Sequence, residues 1–228
     1  MKFKGMKRNR KISEKPDAIL TSDWHLRETK PRCRTDNFWE TQWKKVNSIW
    51  KIQTEWEDDI KLFHAGDLFH HWKPSPWLIS MTMKHLPENF YTVFGQHDLP
   101  NHNMSLSEKS GVMTLAVAGW IKLIEEGSWK EGLRNSIPLK LNGRNIAILH
   151  QFVWGGKKIP WPGCSELTAE QMLDKYPQFD LIVTGDHHKP FTYEKDGRLL
   201  VNPGPLTRQK ADETFNPRVY LWYSNTNT

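Results

Sequence analysis

Cysteine is scarce in this chain: Cys33 and Cys164 are the only two in 228 residues. They stand far apart and in no metal-like spacing, which excludes a cysteine-rich zinc module and a disulfide-stapled scaffold. Two free thiols in a reduced, cytoplasmic protein are expected, with one disulfide as the alternative. Long apolar runs are missing as well. None approaches the ~20 residues that cross a bilayer, and mean hydropathy is −0.69 with 37% hydrophobic residues. No membrane association is expected. The basic N-terminus has no apolar segment behind it, so a signal peptide is not expected either. There is no internal repeat and no low-complexity linker. What remains is one domain of ordinary size, expected over 17–228, behind a basic tail, 1–16.

The charge is unevenly placed. Residues 1–17 carry seven basic and two acidic residues, a local +5 in a chain of net +6 and pI about 9.2. The tail reads as a phosphate-attracting arm or as a solvated, disordered terminus. The rest of the chain is not a strongly basic surface. Tryptophan is abundant, with twelve residues, and Trp39, Trp43, Trp50 and Trp56 fall in one segment. Trp39, Trp43, Val46 and Trp50 recur at helical steps, which predicts an amphipathic helix over 36–58 capped by Asp36 or Asn37. Its stripe would face the core, or alternatively a partner or a second copy in a homodimer.

Strands are predicted at 18–22, 60–64, 90–94, 137–141, 144–149, 180–184, 190–194, 198–201 and 218–223. Helices are predicted at 76–86, through most of 105–126, and near 168–175. Pro76 suits a first helical turn. Asn142-Gly143 and Asp196-Gly197 are hairpin signals. The first half is βαβ-like and the second hairpin-rich, which fits an α/β sheet sandwich with helices outside.

Five of the apolar runs end in polar clusters: Asp23-Trp24-His25, Gly66-Asp67, Gly95-Gln96-His97-Asp98, His150, and Gly185-Asp186-His187-His188. Sites in sheet proteins converge at the C-terminal ends of strands. Each cluster alone has an ordinary structural reading, such as a turn-forming Asp or a packed His. Five in succession point to one shared metal site of carboxylates and imidazoles. Asp23 and His25 alternate, as do Asp186 and His188, so each pair is expected on one side of an extended strand end. His187 would then point away; should it be the ligand instead, the assignment there shifts by one.

The order Asp-x-His, Gly-Asp, Gly-Asn-His-Asp, His, Gly-His-x-His resembles that of the calcineurin-like metallophosphoesterases over about residues 17–205. Within them, Gly66-Asp67-Leu68-Phe69-His70, Lys73-Pro74-Ser75-Pro76 and Gly95-Gln96-His97-Asp98-Leu99-Pro100 resemble the SbcD-type DNA repair nucleases. The length is similar to that of short phage-encoded relatives. The resemblance implies a four-layer α-β-β-α sandwich, with two mixed sheets packed face to face and helices outside. It implies two divalent ions, with Mn²⁺ expected and Mg²⁺ the alternative. Asp23, His25 and His188 would hold the first, Asp67 would bridge, and Gln96, His150 and Asp186 would hold the second. His97 would be the catalytic histidine, oriented by Asp98, and His70 would support exonuclease action. The implied reaction is metal-assisted phosphodiester hydrolysis with DNA as the partner.

Two positions depart from the family pattern: Gln96 stands for its Asn and Asp186 for its usual His. Both fall on the second metal, which is expected to bind more weakly or to favour harder ions. With the chain reaching only Thr228, a capping domain is expected to be missing, and an SbcC-like ATPase partner follows from the resemblance alone. The location would be the cytoplasm, that of a host if the chain is phage-encoded. The competing functions are a small-molecule or protein phosphatase or phosphodiesterase of the same superfamily, and a catalytically weak DNA-binding or scaffold subunit.

Overall fold

The computed structural model describes residues 14–56, 60–124, 128, 139–156 and 158–228. Most of the predicted tail, the last two residues of the predicted helix 36–58 and the start of the strand predicted at 137–141 lie outside the described residues. In chain order the elements are β1 (Ala18–Thr21), α1 (Phe38–Thr54), β2 (Lys61–His64), α2 (Pro76–His85), β3 (Phe90–Thr92), α3 (Gly111–Val117), β4 (Lys122–Leu123), β5 (Leu139–Leu141), β6 (Arg144–Leu149), α4 (Ala169–Lys175), β7 (Leu181–Thr184), β8 (Phe191–Lys195), β9 (Arg198–Asn202) and β10 (Tyr220–Trp222).

The strands form two five-stranded sheets, ordered β10-β1-β2-β3-β4 and β5-β6-β7-β9-β8. β1 to β4 are parallel and β10 is antiparallel to β1. β6, β7 and β9 are parallel, flanked by antiparallel β5 and β8. Both sheets are thus mixed. Their central strands are continuous apolar runs because each is buried on two faces. In β1, Ala18 and Leu20 join Ile148, Val183 and Val201 of the other sheet between the layers, while Ile19 turns outward to Val46 of α1 and Leu115 of α3. In β7, Leu181 and Val183 face the interlayer core, and Ile182 faces Met172 and Leu173 of α4. Period-two alternation therefore builds all three apolar layers of the predicted sandwich.

Both hairpins form at the expected dipeptides. Asn142 (φ 50°) and Gly143 (φ 80°) join β5 to β6, and Asp196 (φ 52°) and Gly197 (φ 69°) join β8 to β9. Two positive φ angles match the right-handed twist of the flanking strands.

Of the two cap candidates, Asn37 caps α1, accepting from the amide of Glu40 at 3.3 Å. Asp36 is instead taken by Arg34 and the Thr41 hydroxyl. The tryptophan stripe only partly faces the core. Trp43 and Val46 are buried, but the buried line continues through Ile49 and Gln53, leaving Trp50 45% exposed. Gln53 can be buried because its amide donates to the carbonyls of Ile60 and Glu88 at 2.7 and 2.6 Å, which satisfies both N–H groups. The helix predicted through 105–126 is also broken. A 3₁₀ segment spans Met104–Lys109, Ser110 caps α3, and the chain leaves through Gly119 (φ 78°) into β4.

Candidate metal centre

The segments after β1 and β2 run side by side. The amides of Asp23, His25 and Leu26 donate to the carbonyls of Gly66, Asp67 and Leu68 at 3.0, 3.0 and 2.9 Å. Asp23 (φ 50°), His25 (φ 46°), Asp67 (φ 56°) and Asp186 (φ 70°) are all left-handed. Each such residue costs of order 1–3 kcal/mol, a strain that clusters at functional sites. Strand alternation is therefore not what brings Asp23 and His25 together; both have left the extended region, and the turn aims them.

All seven predicted donors come close to one another. His25 Nε2 lies 3.2 Å from His188 Nε2 and 3.7 Å from Asp67 Oδ2. His188 Nε2 is 4.0 Å from Asp23 Oδ1, and His150 Nε2 is 3.5 Å from Asp67 Oδ2. The amide of Asp186 donates to Asp23 Oδ1 at 3.0 Å. Ligand atoms of Asp23, His25 and His188 all lie within 4.8 Å of one another, and so do those of Asp23, Asp67 and His150.

Close packing enforces this. A Cβ on Gly95 would overlap the Asp67 carboxylate, and one on Gly185 would overlap the Ala65 carbonyl and the His150 ring. The two family departures touch each other: Gln96 Nε2 donates to Asp186 Oδ1 at 2.7 Å, while Gln96 Oε1 meets His150 Nε2 at 2.5 Å. The extra methylene of glutamine is what spans from His150 to Asp186.

These donors suit divalent cations. Asp23 Oδ2 and Asp67 Oδ2 are buried without a hydrogen-bond partner, and a buried unpaired carboxylate oxygen is costly. Burial, then the nearby Asp98 and Asp23 carboxylates, push Asp67 well above the usual carboxylate range. Burial, then His188 and His97, hold His25 well below the usual imidazole range, which keeps a lone pair free. Carboxylate oxygens and imidazole nitrogens together make a donor set for divalent metal ions.

His97 lies beside this group. Its amide donates to Asp67 Oδ1 at 2.8 Å and its Nδ1 meets the His70 carbonyl at 2.9 Å. The expectation that Asp98 orients the His97 ring is corrected, because the Asp98 oxygens are committed to backbone amides. They accept from Phe69 at 3.0 Å, Gly95 at 3.0 Å and Leu68 at 3.3 Å. Asp98 thereby ties the turn carrying Asp67 to the turn carrying His97. Burial raises its carboxyl to about 6. The His70 ring stacks on His97 with centroids 5.4 Å apart. Burial, then the charge of Arg27, lowers His70 to about 4. His187 points elsewhere, packing on Phe152 at 4.5 Å and Phe191 at 5.9 Å. His188 faces Asp23, while Asp186 reaches Asp23 through its backbone amide and turns its carboxylate to Gln96.

Sequence reasoning missed Glu213. Its Oε1 meets His188 Nδ1 at 2.8 Å, and its Oε2 accepts from the amides of Gln209 and Lys210 at 2.6 and 3.3 Å. Burial pulls His188 down, but this bond and the Asp23 charge outweigh it and leave its pKa raised. Nothing around Glu213 in the sequence marks it, since a lone Glu in an irregular segment carries no pattern.

A cavity of about 630 Å³ opens above the donors. Its lining includes His25, Asp186 and His188 together with Lys189, Lys210 and Arg218, the acidic Asp212 and Glu213, and the rings of Phe152, Trp161 and Phe215. Both cysteines are free. No helix among the described residues is long and apolar enough to cross a membrane.

A profile of the calcineurin-like phosphoesterase superfamily domain matches residues 18–222. No curated protein matches the chain by sequence. Among solved structures, a novel archaeal phosphodiesterase is 15% identical, with a TM-score of 0.50 over 92% of this chain and 95% of its own. Vps29 of Entamoeba histolytica, in complex with zinc, is 16% identical with a TM-score of 0.42 over 88% and 80%. A predicted phosphoesterase of Streptococcus pneumoniae is 16% identical with a TM-score of 0.41 over 87% and 78%. The first of these supports the fold.

Proposed function

The chain belongs to the calcineurin-like phosphoesterase superfamily, and from that premise we propose that it is a metal-dependent DNA nuclease of the SbcD type. The observation that carries this reading is the cavity, whose lining joins metal donors to cations and aromatic rings. Cations suit backbone phosphates, and aromatic faces suit stacked bases.

In this reading Asp23, His25 and His188 would hold one ion and Gln96, His150 and Asp186 the second, with Asp67 serving both. Divalent ions held there would supply Lewis acidity toward the phosphate and the attacking water. The chain's own residues orient the rest. The His70 carbonyl engages His97 Nδ1, so Nε2 is the atom left to hold a proton for the leaving oxygen. Asp98 is a positioning residue, fixing the two turns that present Asp67 and His97. His70, stacked on His97 and lacking a partner at Nδ1, stands where it can steer the phosphate.

The test is hydrolysis of labelled single- and double-stranded DNA beside p-nitrophenyl phosphate esters, in Mn²⁺. Cleavage of DNA at higher kcat/KM than the esters is expected. Ester hydrolysis with intact DNA would instead assign a small-molecule phosphodiesterase. DNA binding without hydrolysis of either substrate would assign a binding subunit.

A further inference from the structure

Beside the metal centre lies a second cavity of about 480 Å³. Its lining carries four cations, Arg34, Lys45, Arg208 and Lys210, and one carboxylate, Asp36. That carboxylate is already engaged, by both the Arg34 guanidinium (2.8 and 2.6 Å) and the Thr41 hydroxyl (2.6 Å). The cavity is therefore net cationic. Lys45 is half-buried in it, and its Nζ donates to the neutral carbonyl of Leu206 at 2.8 Å. Burial, then the charges of Arg34 and Arg208, lower its ammonium to about 8. Cations that depress one another in a cleft fit an anion that would sit among them.

The cavity is one chain segment away from the metal donors. Leu206 lies between the two: its amide donates to the Asp23 carbonyl at 3.4 Å while its carbonyl accepts from Lys45. Lys210 lines both cavities. Glu213 joins the same segment to His188. Lys210, which lines both, would thus stand between an anion in the second cavity and a phosphate at the metal centre.

We propose that this second cavity binds a non-scissile phosphate of a DNA strand whose scissile phosphate lies at the metal centre. The proposal rests on the nuclease reading and deepens it. A substrate with one phosphate cannot fill both places, whereas an oligonucleotide carries a phosphate at every link.

Two variants test this. Arg208→Gln removes a cation that lines only the second cavity, and Thr35→Glu adds an anion at an exposed position of its rim. Affinity for a fluorescent single-stranded DNA of about 12 nucleotides, within the usual range of strand site sizes, is read by anisotropy without added metal at several salt concentrations. Both variants should raise Kd by roughly fivefold or more at low salt. Arg208→Gln should flatten the slope of log affinity on log salt by about 0.7, the share of one phosphate contact on a single strand. Hydrolysis of bis(p-nitrophenyl) phosphate should be unchanged. Unchanged Kd in both variants overturns the proposal. So does a loss of ester hydrolysis equal to the loss of affinity, which would mark a disturbed metal centre. Calorimetry with inorganic phosphate separates the sources. Phosphate binding that the variants abolish, with DNA affinity intact, would assign the cavity to a free anion and also overturn it. If the parent hydrolyses the ester but never DNA, the nuclease reading fails and the proposal with it. Unchanged Kd in both variants, with DNA still cleaved, overturns the subsite alone.

Discussion

Glu213 touches none of the chemistry directly, yet it holds the His188 imidazole through Nδ1. A carboxylate on the second nitrogen of a metal-binding histidine fixes the ring and raises its basicity, and such partners are worth 10–100-fold in metal affinity. Glu213→Ala should therefore weaken one of two Mn²⁺ binding events by about that factor in calorimetric titration. Equal affinities in parent and variant would remove Glu213 from the site. The contact between Gln96 and Asp186 yields a sharper prediction, because the two departures from the family pattern read as one exchange. Gln96→Asn should withdraw the amide from Asp186, and Asp186→His should leave Gln96 Nε2 without its acceptor. Each single change should weaken the lower-affinity Mn²⁺ event. The double variant should weaken it less than the two losses combined, with a coupling of about 1 kcal/mol, as is common for residues in contact. Simple additivity would mean that the two positions drifted independently.

At the scale of elements, the site is a meeting of turns, and their packing leaves no slack. Gly95 has an ordinary φ of −94°, so alanine costs nothing there in backbone strain. The added methyl would nevertheless overlap the Asp67 carboxylate. Gly95→Ala should cost about 1–3 kcal/mol, as overpacking commonly does, and should lose Mn²⁺ binding as well. A variant that unfolds and binds metal like the parent would show that the β2 and β3 turns can part. The strands other than β4, both hairpins and the start of α2 were legible because short apolar runs, Asn-Gly and Asp-Gly pairs, and Pro76 are local signals. The polar clusters that meet there were legible because each stands shortly after an apolar run. The manner of convergence was not. Left-handed φ at Asp23, His25, Asp67 and Asp186 is imposed by the partner segment across the turn, and no local pattern encodes it. The break of the helix predicted at 105–126 was hidden for a similar reason. Apolar spacing continues past Ser110, while the Ser110 cap and the hydrogen bond from Gly111 N to the Trp72 carbonyl at 2.8 Å belong to a tertiary contact. Asp98 was misread because a sequence places it beside His97 and cannot show three amides converging on it.

For the whole molecule, charge is distributed in two opposing ways. The basic residues of the N-terminus and of the second cavity favour polyanions at long range. Deleting residues 1–13 should therefore weaken DNA binding and flatten its salt dependence with little change in ester hydrolysis, and an unaltered salt slope would make that segment a bystander. The interior is the reverse. Asp23 and Asp67 are fully buried, each with an oxygen that has no partner, so the metal-free fold carries carboxylates it cannot satisfy. Cations that bind only the folded chain should repay this cost. At a hundredfold excess over Kd, one bound ion adds about 2.7 kcal/mol, and 1 kcal/mol moves Tm by roughly 2–4 °C in a domain of this size. Mn²⁺ should thus raise Tm by several degrees over the chelated protein. Asp67→Asn makes the prediction asymmetric. Asparagine keeps an oxygen for the His97 amide, which Asp67 Oδ1 now accepts, but removes the buried charge. In chelator the variant should melt at or above the parent temperature, since it removes a buried carboxyl whose ionisation burial opposes. In Mn²⁺ it should gain little, and hydrolysis should fall by a hundredfold or more, as when a group stabilising transition-state charge is removed. A variant less stable than the parent in chelator, yet still raised by Mn²⁺ and still active, would mean that Asp67 is held for packing and that the ions lie elsewhere.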